Sequence, residues 1–383
     1  MRIGFASRYN PADKKTWSGT SYYTLQQIKR SGEVEIFQYK LPKLLQEWLT
    51  TQKSINRRWF KKHTAVEFLR SYAKHFSRQL SRDLKKRPVD ILFVSASPQM
   101  IAYTELDIPI IYMTDATFQQ LQGYYPNFSN LAGYNIRQGV ELDRKAFQMA
   151  AHCMLASEWN KDSAVNEYGI EASKISVVPC GANLDHIPGA AAINFERSGC
   201  NLLFLAVEWE RKGGEIALET FRRLKQKGMN TSLHIIGCVP PVDPDHDKDI
   251  TIIPFLDKNN EKDLRNLEQI FLQTDFLLLP TRAECAGVVF SEASAYGIPS
   301  ITTDTGGVSS YVRNGINGFT LPAEAGGEAY AEKIVTISND ISTLTRLKKS
   351  SRHFYETTLA WDHWGDRFRQ IAENCLQQNR SSK

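Results

Sequence analysis

Residues 276–304 read FLLLPTRAECAGVVFSEASAYGIPSITTD, and this stretch indicates the kind of fold that the chain adopts. The apolar run Phe276–Leu279 predicts a short buried strand, and a second buried strand is predicted from Ser300. Gly287 opens a helix between them, and Gly297, followed closely by a proline, ends it. A strand, a loop, a helix and a strand in this order are the building unit of a parallel sheet, so the stretch predicts an α/β protein.

The predicted helix start at Gly287 is a candidate phosphate site, because free N–H groups and the positive end of the helix dipole meet there. Glu284 lies in the loop before it, and Glu292 lies inside the helix. Carboxylates do not help to bind phosphate, but they accept hydrogen bonds from hydroxyl groups. The combination favours a sugar that carries a phosphate. Two solvated glutamates at a helix start, favoured by the dipole, are the alternative on these residues alone.

The surroundings of this glutamate pair extend the pattern. Leu-Pro-Thr-Arg-Ala precedes it, and Ala-Tyr-Gly-Ile-Pro and Thr-Asp-Thr-Gly-Gly follow it. The whole run resembles the donor-site signature of the retaining glycosyltransferases of family 4, and the resemblance covers residues 200–322. It implies the GT-B fold, with two Rossmann-like domains facing each other across a cleft. It also implies transfer of a sugar from a nucleotide-sugar donor to an acceptor hydroxyl, with retention at the anomeric carbon.

A length of 383 residues predicts two domains, each with its own core. We expect an N-terminal acceptor-side domain over 1–183 and a C-terminal donor domain over 199–358. The residues between them lack a clear period and are predicted as the linker. The final helix, within 359–383, is expected to cross back to the first domain, as in GT-B enzymes.

The composition is that of a soluble globular protein, with 42% apolar and 23% charged residues and a net charge of +5. No run approaches the roughly 18 apolar residues of a membrane span, and the first residues lack a signal-peptide core. We therefore expect a cytoplasmic protein. Its six cysteines form no Cys-x-x-Cys pair, which favours buried free thiols over disulfides or metal ligands.

The resemblance assigns roles to residues at the donor site. It implies that the diphosphate is held by Lys212, Arg211 and the backbone N–H groups of Gly287, Val288 and Val289. Arg211 stands in for a family arginine whose usual position falls near Val207; an exposed Arg-Lys turn without function is the alternative. Fixed positive charge there would stabilise the leaving group, so no metal and no cofactor is required.

The sugar and nucleoside contacts are implied in the same way. Glu292 would hold the ribose hydroxyls, while Glu284 would position the sugar and stabilise charge without acting as a nucleophile. Cys285 and Ala286 would shape the sugar pocket, where the family commonly has an aromatic residue. The segment around Leu256 would pass the nucleotide base through backbone groups.

The acceptor side is predicted from the first half of the chain. Gly19 and Thr20 lie in the loop after the first strand, where the family usually has a glycine pair close to the donor phosphates. Asp115 follows a strand end, where the family commonly has a histidine. It is a candidate catalytic residue, and a helix N-cap is the equal alternative. Residues 119–134 are predicted as a loop over the cleft that contacts the acceptor.

Residues 43–87 are predicted to be helical, with one apolar and one basic face. Twelve lysines and arginines lie within 53–87, against only Glu67 and Asp83. A solvated helix face is one interpretation. Peripheral contact with an anionic membrane through 53–87, with Trp59 and Phe60 as the interfacial patch, is the other. Nucleic acid is not expected as a partner, because no recognition motif accompanies the charge.

Three functions remain open on the sequence. The first is an active, metal-independent hexosyltransferase that acts on a glycan, a lipid-linked acceptor or a small-molecule glycoside. The second is a nucleotide-sugar-binding partner protein with weakened catalysis, suggested by Asp115, Ala286 and the displaced arginine. A phosphorylase or hydrolase of the same fold ranks lower. The acidic run 243–247 is expected to be a solvated loop, because it lacks the glycine and glutamate of a calcium loop.

Overall fold

The computed structural model describes residues 1–197, 199–241 and 247–381, so most of the acidic run 243–247 lies outside the described residues. The chain divides into two compact units. Unit 1 comprises Met1–Val178 and Trp364–Lys383, and unit 2 comprises Pro179–His363.

The unit boundaries differ slightly from the predicted domain ends at 183 and 359. The amide of Cys180 donates to the hydroxyl of Tyr311 over 2.9 Å. The indole N–H of Trp361 donates to Asn183 Oδ1 over 3.0 Å. These bonds attach both connecting segments to unit 2, which the local sequence pattern does not reveal.

Unit 1 is an α/β unit with six strands and, before the chain returns to it at Trp364, six helices. The strands are β1 Arg2–Ser7, β2 Glu33–Phe37, β3 Ile91–Ser95, β4 Ile110–Thr114, β5 His152–Leu155 and β6 Ile175–Val177. The helices are α1 Thr20–Lys29, α2 Lys43–Trp59, α3 Arg70–Lys86, α4 Phe118–Leu121, α5 Gly133–Met149 and α6 Glu158–Asn166.

The sheet of unit 1 is parallel throughout, in the order β2-β1-β3-β4-β5-β6. Its central strands β3 and β4 are buried along their whole length, as strands covered by helices on both faces must be. The order begins as in flavodoxin-like sheets, in which ligands bind outside the carboxyl ends of the strands.

The prediction that 43–87 is helical is wrong for the residues between Trp59, where α2 ends, and Arg70, where α3 begins. Lys61 adopts a left-handed conformation with φ of 51°, which interrupts the helix. The side chain of Asn56 then donates to Thr64 Oγ1 over 2.9 Å and holds the returning chain. The helical spacing of apolar residues, with a period of 3.6, can continue through such an interruption. The apolar pattern alone therefore does not show where α2 ends.

Unit 2 has the same architecture as unit 1. The strands are β7 Cys200–Leu205, β8 Thr231–Ile236, β9 Ile250–Ile253, β10 Phe276–Leu279, β11 Ser300–Thr303 and β12 Gly318–Leu321. The helices are α7 Gly214–Gln226, α8 Glu261–Gln273, α9 Val288–Ala295, α10 Gly327–Ser338 and α11 Ile341–Phe354. The last helix of the chain, α12, spans Trp361–Ser381, within the predicted range 359–383.

The parallel sheet of unit 2 runs in the order β12-β11-β10-β7-β8-β9. Counted from β7, this is the 3-2-1-4-5-6 order of the dinucleotide-binding fold. The order reverses between β7 and β10, and ligands of such sheets bind where that reversal occurs. The turn after β7 and the loop after β10 are therefore the places to look for a site. The α/β class with two Rossmann-like units is confirmed.

Two helices, α10 and α11, precede the last helix in the C-terminal region. Asn339 and Asp340 separate α10 from α11, and the Asp340 carboxylate accepts from the amides of Ser342 and Thr343 as an N-cap. Further along, Trp364 and Phe368 of α12 pack edge-on against Phe93 of β3, which holds this helix in unit 1. All six cysteines are free, as predicted.

Unit 1 contains one buried carboxyl group with a measurable consequence for stability. Burial raises the pKa of Asp143 from 3.8 to about 7, although the amide of Phe118, 2.5 Å from Oδ2, opposes this shift. A folded-state pKa above the unfolded value means that stability is lost as the pH rises. We expect about 2–4 kcal/mol to be lost between pH 4 and pH 7.

The variant Asp143→Asn should remove this part of the pH dependence, because the amide oxygen still accepts from Phe118 and carries no charge. Chemical denaturation from pH 4 to pH 8 measures it. Asp366→Asn, at an exposed aspartate of α12, is the matched control and should follow the wild type. Parallel pH profiles for wild type and Asp143→Asn would contradict the assignment.

Candidate active site

The turn between β7 and α7 is the first part of the site. Gly213 has φ of +75° and is the N-cap of α7. This turn fixes the position of the residue before it, Lys212, in the loop after β7. A Cβ on Gly213 would lie 2.0 Å from the carbonyl oxygen of Pro280, which follows β10. The two loops at the strand-order reversal are thus in backbone contact, and only glycine permits it.

Arg211 joins the same two loops. Its guanidinium group donates to both carboxylate oxygens of Glu208, at 2.7 and 3.1 Å, and to the carbonyl of Ala283 at 2.9 Å. This fork lowers the pKa of Glu208. The guanidinium braces the loop that leads to the glutamate at 284, and its predicted diphosphate contact stays a prediction.

Lys212 and Glu284 form an ion pair between the turn after β7 and the loop after β10. Their side chains are only 11% and 9% exposed. The Glu284 carbonyl also accepts from the amide of Gly307 at 3.0 Å, which fixes the loop. The structure therefore brings together two of the three predicted catalytic residues, which lie 72 positions apart in the chain.

The start of α9 lies directly after this pair. Gly287 is the N-cap, as predicted, and α9 begins at Val288. The Val288 amide, predicted to bind the diphosphate, donates to the Ala286 carbonyl at 3.0 Å. This N–H group is therefore already hydrogen-bonded within the protein. Val289 is partly exposed and Gly287 is buried. Cys285 is buried and Ala286 is partly exposed in the loop that leads to them.

A second ion pair joins Glu292 of α9 to Lys258. Lys258 follows β9 and also donates to the carbonyl of Asn183 at 3.3 Å. Glu292 is buried, so the solvated-glutamate alternative is wrong for it, and equally wrong for Glu284. Leu256, in the same loop as Lys258, is half-buried.

Sequence reasoning missed Lys258. Its position after a strand end was a usable signal, because the carboxyl ends of all parallel strands lie at one edge of the sheet. Its partner on a helix 34 residues away was not deducible from local pattern.

The predicted acceptor-side residues lie in unit 1. Gly19, with φ of +86°, caps α1, and Thr20 is the buried first residue of that helix. Just before them Trp17 and Ser18 adopt left-handed φ values of 48° and 54°, which non-glycine residues rarely do. Such strain marks functional loops more often than ordinary turns.

Asp115 is connected to this strained loop. Its Oδ2 accepts from the indole N–H of Trp17 at 3.2 Å, and the ring of Trp17 stacks on Tyr9. The alternative that Asp115 caps the following helix is wrong, because Thr117 forms the capping box of α4. The loop predicted over 119–134 contains the end of α4 and the start of α5.

The basic side chains of the stretch 53–87 lie mostly at the surface. Every lysine and arginine in it is solvent-exposed apart from Arg87, which is half-buried. In the described ranges of the chain, no helix is both long and apolar enough to cross a membrane.

Two family profiles match most of the chain. The profile described as glycosyltransferase family 4 matches residues 24–186, and the profile described as glycosyl transferases group 1 matches residues 199–340. The first match falls on unit 1 and extends into the start of unit 2, and the second falls within unit 2. The second match contains both ion pairs.

Curated relatives align over part of their length. An uncharacterized 41.2 kDa protein in the cps region of Klebsiella pneumoniae is 25% identical over 53% of this chain and 56% of its own. The capsular polysaccharide biosynthesis glycosyltransferase CapM of Staphylococcus aureus is 28% identical over 39% of this chain and 41% of its own. The chain thus spans less than two thirds of the length of these relatives.

Solved structures match over the whole chain. Sucrose-phosphate synthase from Thermosynechococcus elongatus superposes with a TM-score of 0.69 at 15% identity, covering 99% of this chain and 100% of its own. Anabaena HepE in complex with UDP gives 0.66 at 13% identity, covering 98% and 100%. At these identities the likeness shows the fold, which is GT-B.

The order of the strands, the glycine-mediated contact at the reversal and the two profile matches together define the class. The chain belongs to the family 4 glycosyltransferases, also described as glycosyl transferases group 1.

Proposed function

We propose that the chain is a retaining glycosyltransferase that moves a hexosyl group from a nucleotide-sugar donor to an acceptor hydroxyl. The acceptor would be a glycan, a lipid-linked glycan or a small-molecule glycoside. The observation that carries the proposal is the pair of Lys–Glu ion pairs at the carboxyl end of the unit 2 sheet, one on each side of the α9 start. A nucleotide-sugar needs a cation for its diphosphate and carboxylates for its hydroxyls, and this site offers both.

Lys212 would stabilise the leaving diphosphate. Negative charge develops on that group as the glycosidic bond breaks, and a preoriented ammonium group stabilises it where solvent is largely excluded. Its ion pair with Glu284 fixes the ammonium before the reaction begins. Because Lys212 and the α9 dipole supply positive charge, we propose that turnover needs no metal, and EDTA should leave it unchanged.

Glu292 would bind the ribose. Lys258 holds its Oε1, which leaves Oε2 to accept hydrogen bonds from the ribose hydroxyls. Glu284, at the other side of the helix start, would contact the sugar and stabilise the positive charge of an oxocarbenium-like state. Asp115, with Gly19 and Thr20, would act on the acceptor side.

The variant Glu292→Ala should raise the apparent KM for the donor about 10–100-fold, because a charged hydrogen bond contributes about 1.5–3 kcal/mol. Steady-state kinetics with the donor varied measures it. Glu261→Ala, at an exposed carboxylate at the start of α8, is the matched control and should behave as wild type. An unchanged KM in Glu292→Ala would remove the ribose assignment.

Donor identity can be tested by thermal shift with UDP-, GDP- and ADP-sugars, followed by nucleotide release with and without acceptors. A ligand at a hundred times its Kd adds about 2.7 kcal/mol of stability. UDP-sugars come first, because the matching structures of HepE and of Staphylococcus aureus TarM are described as complexes with UDP. Release that depends on an acceptor supports the proposal. Tight binding without release favours the weakened binding partner, and dependence on inorganic phosphate favours a phosphorylase.

We also propose a cytoplasmic location, where nucleotide-sugars are made, with peripheral contact at the inner face of the membrane. The exposed basic stretch 53–87 supports this contact.

A further inference from the structure

We propose that α2 docks the protein onto an anionic bilayer, with an apolar stripe of Leu44, Trp48, Ile55 and Trp59 inserted among the lipids. The inference moves the centre of membrane contact from the basic stretch 53–87 to a helix face that begins ten residues earlier. It rests on the proposed function in one respect: it specifies the acceptor as a lipid-linked glycan.

The stripe is continuous along α2. At 3.6 residues per turn, its four side chains lie within an arc of about 60°. Leu44 is 82% exposed and Trp59 is 75% exposed, and Trp48, Ile55 and the neighbouring Phe60 are also exposed. These are five of the twelve large apolar side chains found exposed in the described ranges. A concentration of this kind on one helix face marks an interaction surface.

Packing of α2 on the core does not account for the exposed apolar stripe. Of the 17 residues of α2 only Leu49 and Asn56 are buried. A helix of a globular protein normally gains most of its stability from packing its apolar face on the core. In α2 the apolar stripe lies about 100° around the helix from Leu49 and Asn56 and is exposed, so it is available for another apolar medium.

The charges on and next to α2 identify that medium. Lys53, Arg57, Arg58 and Lys61 are exposed, and within the described residues none of them lies in a salt bridge with a carboxylate. Arg58 lies about 40° from Leu44 and borders the stripe, whereas Lys53 and Arg57 lie on the opposite side of the helix. In the next helix, α3, four further cations occur at every fourth residue: Arg70, Lys74, Arg78 and Arg82.

An anionic lipid surface fits this arrangement better than a second copy of the chain. Two copies meeting through α2 would bring the same lysines and arginines together, and like charges repel. Lipid phosphates neutralise them, while tryptophan side chains are well suited to the boundary between headgroups and acyl chains. The long side chain of Arg58 can reach the headgroups from beside the inserted stripe.

The end of α2 is attached to the predicted acceptor loop. Asn56 Nδ2 donates to the hydroxyl of Tyr134 over 2.6 Å, and Lys62 Nζ donates to Asn130 Oδ1 over 2.6 Å. The amide of His63 donates to the Asn130 carbonyl over 3.0 Å. A bilayer that holds α2 therefore lies close to residues 130–134, and an acceptor in that bilayer reaches the loop without leaving the membrane.

Flotation with phosphatidylcholine vesicles that contain phosphatidylglycerol tests the proposal, with the full chain and no donor or acceptor present. Wild type should float with these vesicles and not with pure phosphatidylcholine. The variant Trp48→Ser/Trp59→Ser should lower the bound fraction about tenfold or more. Arg57→Gln/Arg58→Gln should weaken binding and reduce its salt dependence.

The matched control is Leu272→Ser/Ile341→Ser, which removes two exposed apolar side chains from unit 2 and should bind vesicles as wild type does. Leu44→Ser is a second stripe variant if the double tryptophan variant does not fold. Equal flotation of wild type and stripe variants overturns the proposal. So does equal binding to neutral vesicles, or a dimer that the stripe variants dissolve. Donor thermal shifts are measured separately, so failure of membrane docking and failure of the proposed activity are distinguishable.

Discussion

Replacing Lys212 with methionine is expected to lower the turnover number about 10²–10³-fold, the usual effect of removing one charge-stabilising group from a transition state. The effect should fall on kcat more than on the donor KM, because the ammonium matters most once charge has developed on the diphosphate. Steady-state kinetics with saturating acceptor measures both constants. Lys227→Met, which removes an exposed lysine of unit 2, should leave them unchanged.

The same variant should also destabilise unit 2, for a separate reason. Glu284 is buried, and removing one partner of a buried ion pair costs about 3–5 kcal/mol through the uncompensated charge. The double variant Lys212→Met/Glu284→Gln should regain most of this stability without regaining turnover. Urea unfolding and kinetics on the single and double variants separate the two roles. Full turnover in a folded Lys212→Met protein would end the assignment of this residue.

The variant Gly213→Ala is expected to destabilise the protein by about 2–5 kcal/mol, the sum of a left-handed alanine and an overpacked contact. A Cβ would lie 2.0 Å from the Pro280 carbonyl oxygen, which is backbone and cannot rotate aside. The turn after β7 must then move away from the loop after β10, so turnover should fall as well. Thermal and urea unfolding measure the first effect, and kinetics of the folded fraction measure the second.

Gly228→Ala is the matched control for that experiment. Gly228 follows α7 with φ of +78°, close to the value at Gly213, but nothing lies within 4 Å of its added Cβ. It should cost only the left-handed alanine, about 1–2 kcal/mol, and leave turnover intact. Equal losses in the two variants would show that the contact with Pro280 contributes nothing.

The sequence by itself determined the elements of the fold and the position of one candidate site. Buried runs such as Phe276–Leu279 specify strands, and Gly287 and Gly297 specify where the helix between two strands begins and ends, because these signals act within a few residues. Parallel strands joined by helices then place their carboxyl ends at one edge. The loops after β7 and β10 were therefore identifiable from the sequence as a candidate phosphate-sugar site, and that assignment stays a prediction.

The tertiary structure decided which side chains meet. Lys258 reaches Glu292, Arg211 turns towards Glu208 and Ala283, and Asp115 accepts from Trp17, all through contacts that local sequence does not encode. The break after Trp59 likewise depends on Asn56 holding a distant segment. Solvent exposure is also a tertiary property, and it alone shows that the apolar stripe of α2 faces outwards. Local propensities act over a single turn, whereas ion pairs and burial depend on how distant segments pack.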